Sequence, residues 1–215
     1  MLPPSTVLFD LDGTLIDSVD LIIDSYHHTF RQHGLAITSR EELIEGIGTP
    51  LVAVFGRMTE KRSEIDAWIA TYREFNLANH DRMASAYPGV VEVLRQVRAR
   101  GIRFGLVTSK NQHGARLGLK LMGVESDFEV VIGADDVVNP KPHAEPVLKA
   151  LEALKALKEE TVYIGDSVHD MESGRAAGVR TAGVLWGPFT RPELERTKPD
   201  YWLDRPGDLL ALVDR

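Results

Sequence analysis

Short apolar runs typical of buried strands alternate with helical periods along most of this 215-residue chain. Helices between the strands show apolar residues on one face, as over 90–97 and 147–154. Alternating strands and helices form a parallel sheet with helices on both faces, and ligands bind at the carboxyl ends of its strands. We therefore predict an α/β fold, a three-layer Rossmann-like core, with strands over 6–9, 103–107, 130–132, 161–164 and 181–185.

Residues 17–85 break this alternation, because they contain helical periods and no convincing strand. Aromatic side chains recur at helical spacing over 19–30 and 65–75, which is more typical of a small apolar core than of a cofactor site. This interval directly follows the first strand, where it can cover the ligand-binding edge of the sheet. We predict an α-helical cap domain at 17–85 and a catalytic α/β core made of 1–16 and 86–215.

Composition excludes several classes of function. A formal net charge of -7 argues against general binding to nucleic acid or anionic membranes. The absence of cysteine excludes disulfides, thiolate zinc sites and cysteine nucleophiles. Neither a signal peptide nor an apolar run of the roughly 18 residues that span a bilayer is recognisable. We expect a cytoplasmic protein, monomeric or homodimeric, without nucleic-acid or membrane partners.

The first predicted strand ends at the run Asp10-Leu11-Asp12-Gly13-Thr14-Leu15-Ile16-Asp17-Ser18. Two carboxylates one residue apart can aim at one point once the backbone turns, and Gly13 allows a ligand to approach the backbone closely. Like charges this close are costly unless a cation binds or one carboxyl group is protonated. Asp, Gly and Ser also favour turns and helix caps, so this run alone leaves a structural and a catalytic interpretation open.

Three further segments follow predicted strands on the same sheet edge. Thr108-Ser109-Lys110 offers hydroxyl and N–H groups that suit phosphate, although Thr-Ser also fits a helix cap. Asn139-Pro140-Lys141-Pro142 restrains one lysine between prolines. Gly165-Asp166-Ser167-Val168-His169-Asp170 supplies carboxylates of the kind that Mg²⁺ prefers, and equally resembles a helix N-terminus. Jointly, in this order, the segments indicate phosphoryl chemistry more strongly than any one does.

These runs resemble the motifs of the haloacid dehalogenase superfamily of phosphatases, whose opening motif is intact from Asp10 to Ser18. The insert after the first strand resembles the subgroup with an α-helical cap, which includes phosphoglycolate phosphatases and bacterial pyrophosphatases. One departure is Ala144, where the family commonly has proline; it leaves Lys141 unaffected.

The resemblance implies a division of roles among these residues. Asp10 would attack phosphorus to form an aspartyl-phosphate, and Asp12 would act as general acid and base. Lys141 would neutralise charge, and Thr108 or Ser109 would orient the phosphoryl group. Mg²⁺ would be held by the metal-binding residues Asp10, Asp12 (through its backbone carbonyl), Asp166 and Asp170, the last directly or indirectly.

The substrate is the least determined expectation. By analogy we rank phosphoglycolate, or a similarly small phosphorylated metabolite, first and inorganic pyrophosphate second. Candidate substrate contacts in the cap are the loop Gly46 to Pro50 and Arg57, which also fits a solvated helix position. A phosphomutase or a non-catalytic phosphate-binding module is a weaker alternative. A lipase-like esterase is disfavoured because no histidine follows His169, and a Walker phosphate loop is absent.

Overall fold

The computed structural model describes residues 3–214, so Met1, Leu2 and Arg215 of the predicted core lie outside the described residues. Its centre is a six-stranded parallel sheet in the order β5-β4-β1-β6-β7-β8. The predicted α/β fold is confirmed. The strands of this sheet are β1 (Thr6–Phe9), β4 (Arg103–Val107), β5 (Phe128–Ile132), β6 (Thr161–Gly165), β7 (Arg180–Val184) and β8 (Tyr201–Leu203).

The edge strand β8 was not predicted, because three residues give too short a pattern to separate from a loop. The helices over 112–121 and 191–195 were also missed. Gly114 and Gly118 lower the helix propensity of the first, and the second is only five residues long. The helices of the core are α5 (Val90–Ala99), α6 (Gln112–Leu121), α7 (Glu145–Leu154), α8 (Val168–Ala177), α9 (Arg191–Glu195) and α10 (Asp208–Val213).

Both faces of the sheet are covered by helices, as the predicted three layers require. Alternate residues of β1 point to opposite faces: Val7 and Phe9 join the cluster formed with α5, α6 and α10, whereas Leu8 joins the one formed with α7 and α8. All four residues of β1 are buried, because β4 and β6 flank this strand. β1 is therefore the rigid element from which the chain enters the predicted active edge.

The interval between β1 and β4 is helical, as predicted, apart from a small antiparallel pair at its two ends. β2 (Ile16–Asp17) pairs with β3 (Ser85–Ala86), so the chain leaves and re-enters the core side by side. Between them lie four helices: α1 (Val19–His33), α2 (Arg40–Glu45), α3 (Leu51–Gly56) and α4 (Arg62–Met83). The exact division into core and cap stays a prediction, because the apolar cluster of these helices also includes Phe189 and Leu194.

The aromatic residues of α1, α3 and α4 form the centre of that second cluster. Tyr26 lies with its ring centroid 5.7 Å from Phe55 and 4.8 Å from Tyr72, and Phe55 lies 5.7 Å from Trp68. Edge-to-face pairs of this kind add to the stabilisation from burial. The aromatic stripe is core, as its spacing indicated. Within residues 3–214, no helix is long and apolar enough to cross a membrane.

We expect Phe55→Ala to lower the free energy of unfolding by about 3–4 kcal/mol, because it leaves a cavity at a fully buried side chain. The measurement is urea unfolding followed by circular dichroism. Val52→Ala in the same helix is the matched control, since Val52 is 44% exposed and the change should stay within about 0.5 kcal/mol. A Phe55→Ala loss as small as the control would contradict the assignment of Phe55 to the cap core.

Candidate active site

Three neighbouring strands bring the predicted site together at their carboxyl ends. Asp10 follows β1, Thr108 follows β4 and Asp166 follows β6, and β1 pairs with both of the other strands. The backbone N–H of Asp10 still donates to the carbonyl of Ile164, at 2.9 Å, so the first carboxylate leaves a fixed strand. The expectation that these segments share one edge is met by the structure.

Lys141 lies at the centre of a buried polar network beneath this edge. Its ammonium Nζ donates to Asp10 Oδ1 at 2.9 Å and to Asp170 Oδ1 at 2.6 Å, and lies 3.2 Å from the Tyr163 hydroxyl. The lysine side chain is 1% exposed, so its charge must be compensated by these partners. Both carboxylates in turn raise the pKa of Lys141 well above its ordinary value, against the effect of burial, and keep it charged.

Tyr163 is a member of this network that sequence reasoning missed. Its hydroxyl lies 2.8 Å from Asp170 Oδ1 and 2.9 Å from the carbonyl oxygen of Val107. The available signal was a tyrosine inside an otherwise aliphatic buried strand, because a buried hydroxyl needs a partner. Tyr163 fixes the position of Asp170 and thereby of Lys141.

Asp170 both caps the start of α8 and bonds to the buried lysine. Its Oδ2 accepts from the backbone N–H of Ser167 at 3.0 Å and from the Ser167 hydroxyl at 2.6 Å, which completes a capping box at the start of α8. Its Oδ1 accepts from Lys141. Burial would raise the pKa of Asp170, but Lys141 and these hydrogen bonds outweigh burial and hold it below its ordinary value.

Asp166 is less well satisfied. Its Oδ1 accepts from the Thr14 hydroxyl at 2.8 Å, whereas its buried Oδ2 has no hydrogen-bond partner among residues 3–214. Gly13, with φ of 87°, lies so close that a β-carbon there would be 2.4 Å from Asp166 Oδ2. Burial, together with the charges of Asp170 and Asp10, raises the pKa of Asp166 well above its ordinary value. A bound cation would relieve this carboxylate.

The carboxylates fit a hard divalent cation. One oxygen each from Asp10, Asp166 and Asp170 lies within 4.8 Å of the others, and all three residues are buried. Mg²⁺ takes oxygen ligands in proteins, and the unpartnered oxygen of Asp166 is free to serve as one. Asp12 is outside this carboxylate group, so its contribution through the backbone carbonyl stays a prediction.

Asp10 itself has a perturbed protonation equilibrium. Burial raises its pKa from 3.8 to about 7, the charge of Lys141 opposes that rise, and the charge of Asp170 adds to it. A carboxylate that ionises near neutral pH inside a polar network is typical of a functional site.

Asp12 is in a different environment, on the side of the site that faces the cap. Its Oδ1 accepts from the Ser18 hydroxyl at 2.6 Å, and Lys110 Nζ lies 3.0 Å from both carboxylate oxygens. Burial would raise the pKa of Asp12, but the Lys110 charge and the Ser18 hydrogen bond hold it below its ordinary value. Lys110 was visible as part of Thr108-Ser109-Lys110, yet nothing in the sequence indicated that it faces Asp12.

The two predicted hydroxyls differ in their contacts. Thr108 is buried, and its Oγ1 accepts from the backbone N–H of Lys110 at 3.2 Å. Ser109 donates from Oγ to the carbonyl of Gly48, in the cap, at 2.5 Å. A second contact across the same boundary joins Thr49 Oγ1 to His169 Nε2 at 3.3 Å. The predicted Gly46–Pro50 loop of the cap therefore rests directly on the core beside the site.

A cavity of about 450 Å³ separates the cap from this edge of the core. Asp10, Asp12, Thr108, Ser109 and Lys110 line its core side, and the cap loop with residues of α1, α3 and α4 lines the other. Arg57, the predicted cap contact, is exposed and is not among the lining residues. The cap arginine that does line the cavity is Arg73 of α4, which sequence reasoning did not single out.

The pKa values of Asp10 and Asp166 predict a pH-dependent stability of the metal-free protein. The pKa values of both carboxyl groups are higher in the folded than in the unfolded protein, so their protonated forms stabilise the fold. This stabilisation is fully present below the pKa of the unfolded chain and is lost as pH rises through about 7 for Asp10. In EDTA, urea unfolding should give a smaller free energy at about pH 8.5 than at about pH 6.5, and Asp10→Asn should reduce that difference. Asn in place of the exposed Asp24 is the control and should leave it unchanged. If the free energy of unfolding of Asp10→Asn changes as much between the two pH values as that of the wild type, the pH dependence does not come from Asp10.

Comparison with known proteins identifies the group to which this arrangement belongs. The sequence profile of the haloacid dehalogenase-like hydrolases matches residues 7–184. A protein named pyrophosphatase PpaX from Anoxybacillus flavithermus is 42% identical over 209 residues, which cover 97% of this chain and 96% of the relative. The relative of the same name from Bacillus pumilus is 43% identical over 209 residues, with the same coverage.

Solved structures agree with these sequence relatives. A haloacid dehalogenase-like hydrolase from Bacteroides fragilis superposes with a TM-score of 0.90 at 27% identity, covering 96% of this chain and 99% of its own. A structure described as a phosphoglycolate phosphatase, from Lactobacillus plantarum, has a TM-score of 0.88 at 26% identity and covers 98% of this chain and 100% of its own. The resemblance found in the motifs is confirmed. The chain belongs to the haloacid dehalogenase-like hydrolases and is a phosphatase among them.

Proposed function

We propose that this protein is a Mg²⁺-dependent inorganic pyrophosphatase that acts through an aspartyl-phosphate on Asp10. One observation supports phosphoryl transfer above the others. The Asp10 carboxylate accepts a hydrogen bond from the buried ammonium of Lys141, 2.9 Å away, and lies near the unpartnered oxygen of Asp166. The choice of pyrophosphate rests on the relatives named pyrophosphatase PpaX, which match nearly the whole chain.

Asp10 is the nucleophile because it ends a rigid strand and is fixed by a charge-assisted hydrogen bond. One of its oxygens forms a bond to phosphorus while the bond from phosphorus to the leaving oxygen breaks. Lys141 holds the carboxylate in one orientation and reduces its repulsion from the anionic substrate. Mg²⁺, held by Asp10, the Asp12 carbonyl and Asp166, would neutralise further charge on the phosphoryl oxygens. Asp170 keeps Lys141 in place, since its carboxylate accepts hydrogen bonds from Lys141, Tyr163 and Ser167.

Asp12 transfers the protons in both half-reactions. It gives a proton to the leaving oxygen as the aspartyl-phosphate forms. It then takes a proton from the water that attacks the aspartyl-phosphate, which releases phosphate and restores the Asp10 carboxylate. Its position fits this role, because it lines the cavity between Asp10 and the cap.

Thr108 and Ser109 hold the transferring phosphoryl group in this proposal. Both line the cavity at the end of β4. The Ser109 hydroxyl donates to Gly48 of the cap, so it must exchange this carbonyl for a phosphoryl oxygen when substrate enters. The cap would restrict bulk water during the reaction.

The comparisons favour the second of the two substrates ranked from the sequence. Phosphoglycolate ranks first from the motifs, but the relatives from Anoxybacillus flavithermus and Bacillus pumilus are named pyrophosphatases. The exposed position of Arg57 also gives no support to a clamp for the glycolate carboxylate. Phosphoglycolate remains the second candidate, because the Lactobacillus plantarum structure carries that description. We place the enzyme in the cytoplasm, in keeping with its lack of cysteine.

We expect pyrophosphate to be hydrolysed with a kcat/KM at least about 10-fold above that for phosphoglycolate, which is about 1.4 kcal/mol in transition-state stabilisation. Phosphate release is measured for both substrates with Mg²⁺ present and after EDTA treatment. EDTA should abolish both activities and Mg²⁺ should restore them, since the buried carboxylates need a cation. Equal or better turnover of phosphoglycolate would refute the choice of substrate, and full activity after chelation would refute the metal.

We expect Asp10→Asn to reduce turnover of every phosphorylated substrate by about 10⁴-fold or more, because the amide cannot form the aspartyl-phosphate. The fold should persist, as judged by circular dichroism and gel filtration, since Asn has nearly the same shape. Asn in place of the exposed Asp24 is the matched control and should retain wild-type rates. A variant at Asp10 with a substantial fraction of wild-type turnover would remove Asp10 as nucleophile.

A further inference from the structure

Lys110 has a position that the proposed chemistry does not yet use. It follows Ser109 in the loop after β4, and its Nζ lies 3.0 Å from both oxygens of Asp12. Both side chains are 15% exposed, and both line the cavity beneath the cap. This ion pair therefore borders the space into which substrate must enter.

The first turn of α6 leaves space for the Lys110 side chain. A β-carbon on Gly114 would lie 3.1 Å from both Cγ and Cδ of Lys110, closer than most side-chain contacts. Asn111 caps the same helix by accepting from the Gly114 N–H at 3.1 Å. Glycine inside a helix is destabilising, so its presence here has a local reason: it leaves room for the aliphatic part of Lys110. The ammonium is held at the mouth of the site rather than free in solvent.

Lys110 lies on the same side of the site as Asp12, because the two side chains form an ion pair. In the proposed reaction Asp12 gives its proton to the leaving oxygen, so a cation 3.0 Å from its oxygens stands beside the leaving group. When pyrophosphate reacts, that leaving group is itself a phosphate, whose charge is carried close to the breaking bond. When p-nitrophenyl phosphate reacts, the charge spreads over the aromatic ring and away from that bond. A positive charge at this position should therefore accelerate the reaction of pyrophosphate more than that of p-nitrophenyl phosphate.

We propose that Lys110 is a specificity-determining residue that binds the leaving phosphate of pyrophosphate, exchanging the Asp12 carboxylate for the phosphate oxygens. This inference rests on the proposed function and deepens it. The bond between the bridging oxygen and the transferred phosphorus breaks, and its electron pair stays on the bridging oxygen. Asp12, released from Lys110, first takes up a proton from solvent and then gives this proton to the bridging oxygen. Lys110 stabilises the remaining charge of the departing phosphate as Asp10 becomes phosphorylated.

The test compares Lys110→Met with Lys110→Arg on two substrates, pyrophosphate and p-nitrophenyl phosphate, in the presence of Mg²⁺. Lys110→Met should lower kcat/KM for pyrophosphate by about 100-fold and for p-nitrophenyl phosphate by no more than about 5-fold. Most of the loss should fall on kcat, because charge on the leaving phosphate grows in the transition state. Lys110→Arg keeps the charge and should retain pyrophosphate turnover within about 10-fold of wild type.

Lys120→Met is the matched control, since Lys120 is exposed at the far end of α6 and does not line the cavity. It should leave both substrates at wild-type rates. Equal losses on both substrates in Lys110→Met would show that the lysine only positions Asp12, and an unchanged rate on pyrophosphate would show that it does not act; either result overturns the inference. Wild-type enzyme that hydrolyses p-nitrophenyl phosphate but not pyrophosphate would overturn the proposed function, and the inference with it.

Discussion

The buried ammonium of Lys141 is the interaction on which the site depends. It bonds Asp10 and Asp170 at 2.9 and 2.6 Å with almost no solvent access. Removing one partner from such a network leaves an uncompensated buried charge, which is strongly destabilising. One ammonium faces three clustered carboxylates, so negative charge remains, and burial together with this charge raises the pKa values of Asp10 and Asp166. A divalent cation bound among these carboxylates would neutralise that remaining charge.

The two carboxylates proposed for nucleophilic attack and proton transfer, Asp10 and Asp12, differ because their surroundings differ. Asp10 is deeply buried, and its pKa is raised to about 7 despite Lys141. Asp12 is paired with Lys110 and Ser18, which hold its pKa below the ordinary value. Two residues apart in sequence, the carboxylates therefore meet different charges, although both line the cavity under the cap.

Much of the site was accessible from sequence because parallel strands bring their carboxyl ends to one edge. The segments beginning at Asp10, Thr108 and Asp166 could be assigned to that edge from strand order alone. The parallel sheet and most of its helices were predicted; β8, α6, α9 and the β2–β3 pair were not, because a three-residue strand, two helical glycines, a five-residue helix and two-residue strands give weak patterns. Arg57 was selected for its charge in a helical insert, but spacing could not show that it lies outside the cavity.

The sequence by itself determined the α/β architecture, the helical insert and the set of chemical groups at the active edge, because these follow from periodicity and from residue order. Only the tertiary structure decided which carboxylate oxygen is left without a partner, that Lys110 faces Asp12, and that Ser109 is bonded to Gly48 of the cap. The physical reason is that strand order fixes which edge a residue reaches. Side-chain direction and the position of the cap depend on packing between segments far apart in the chain.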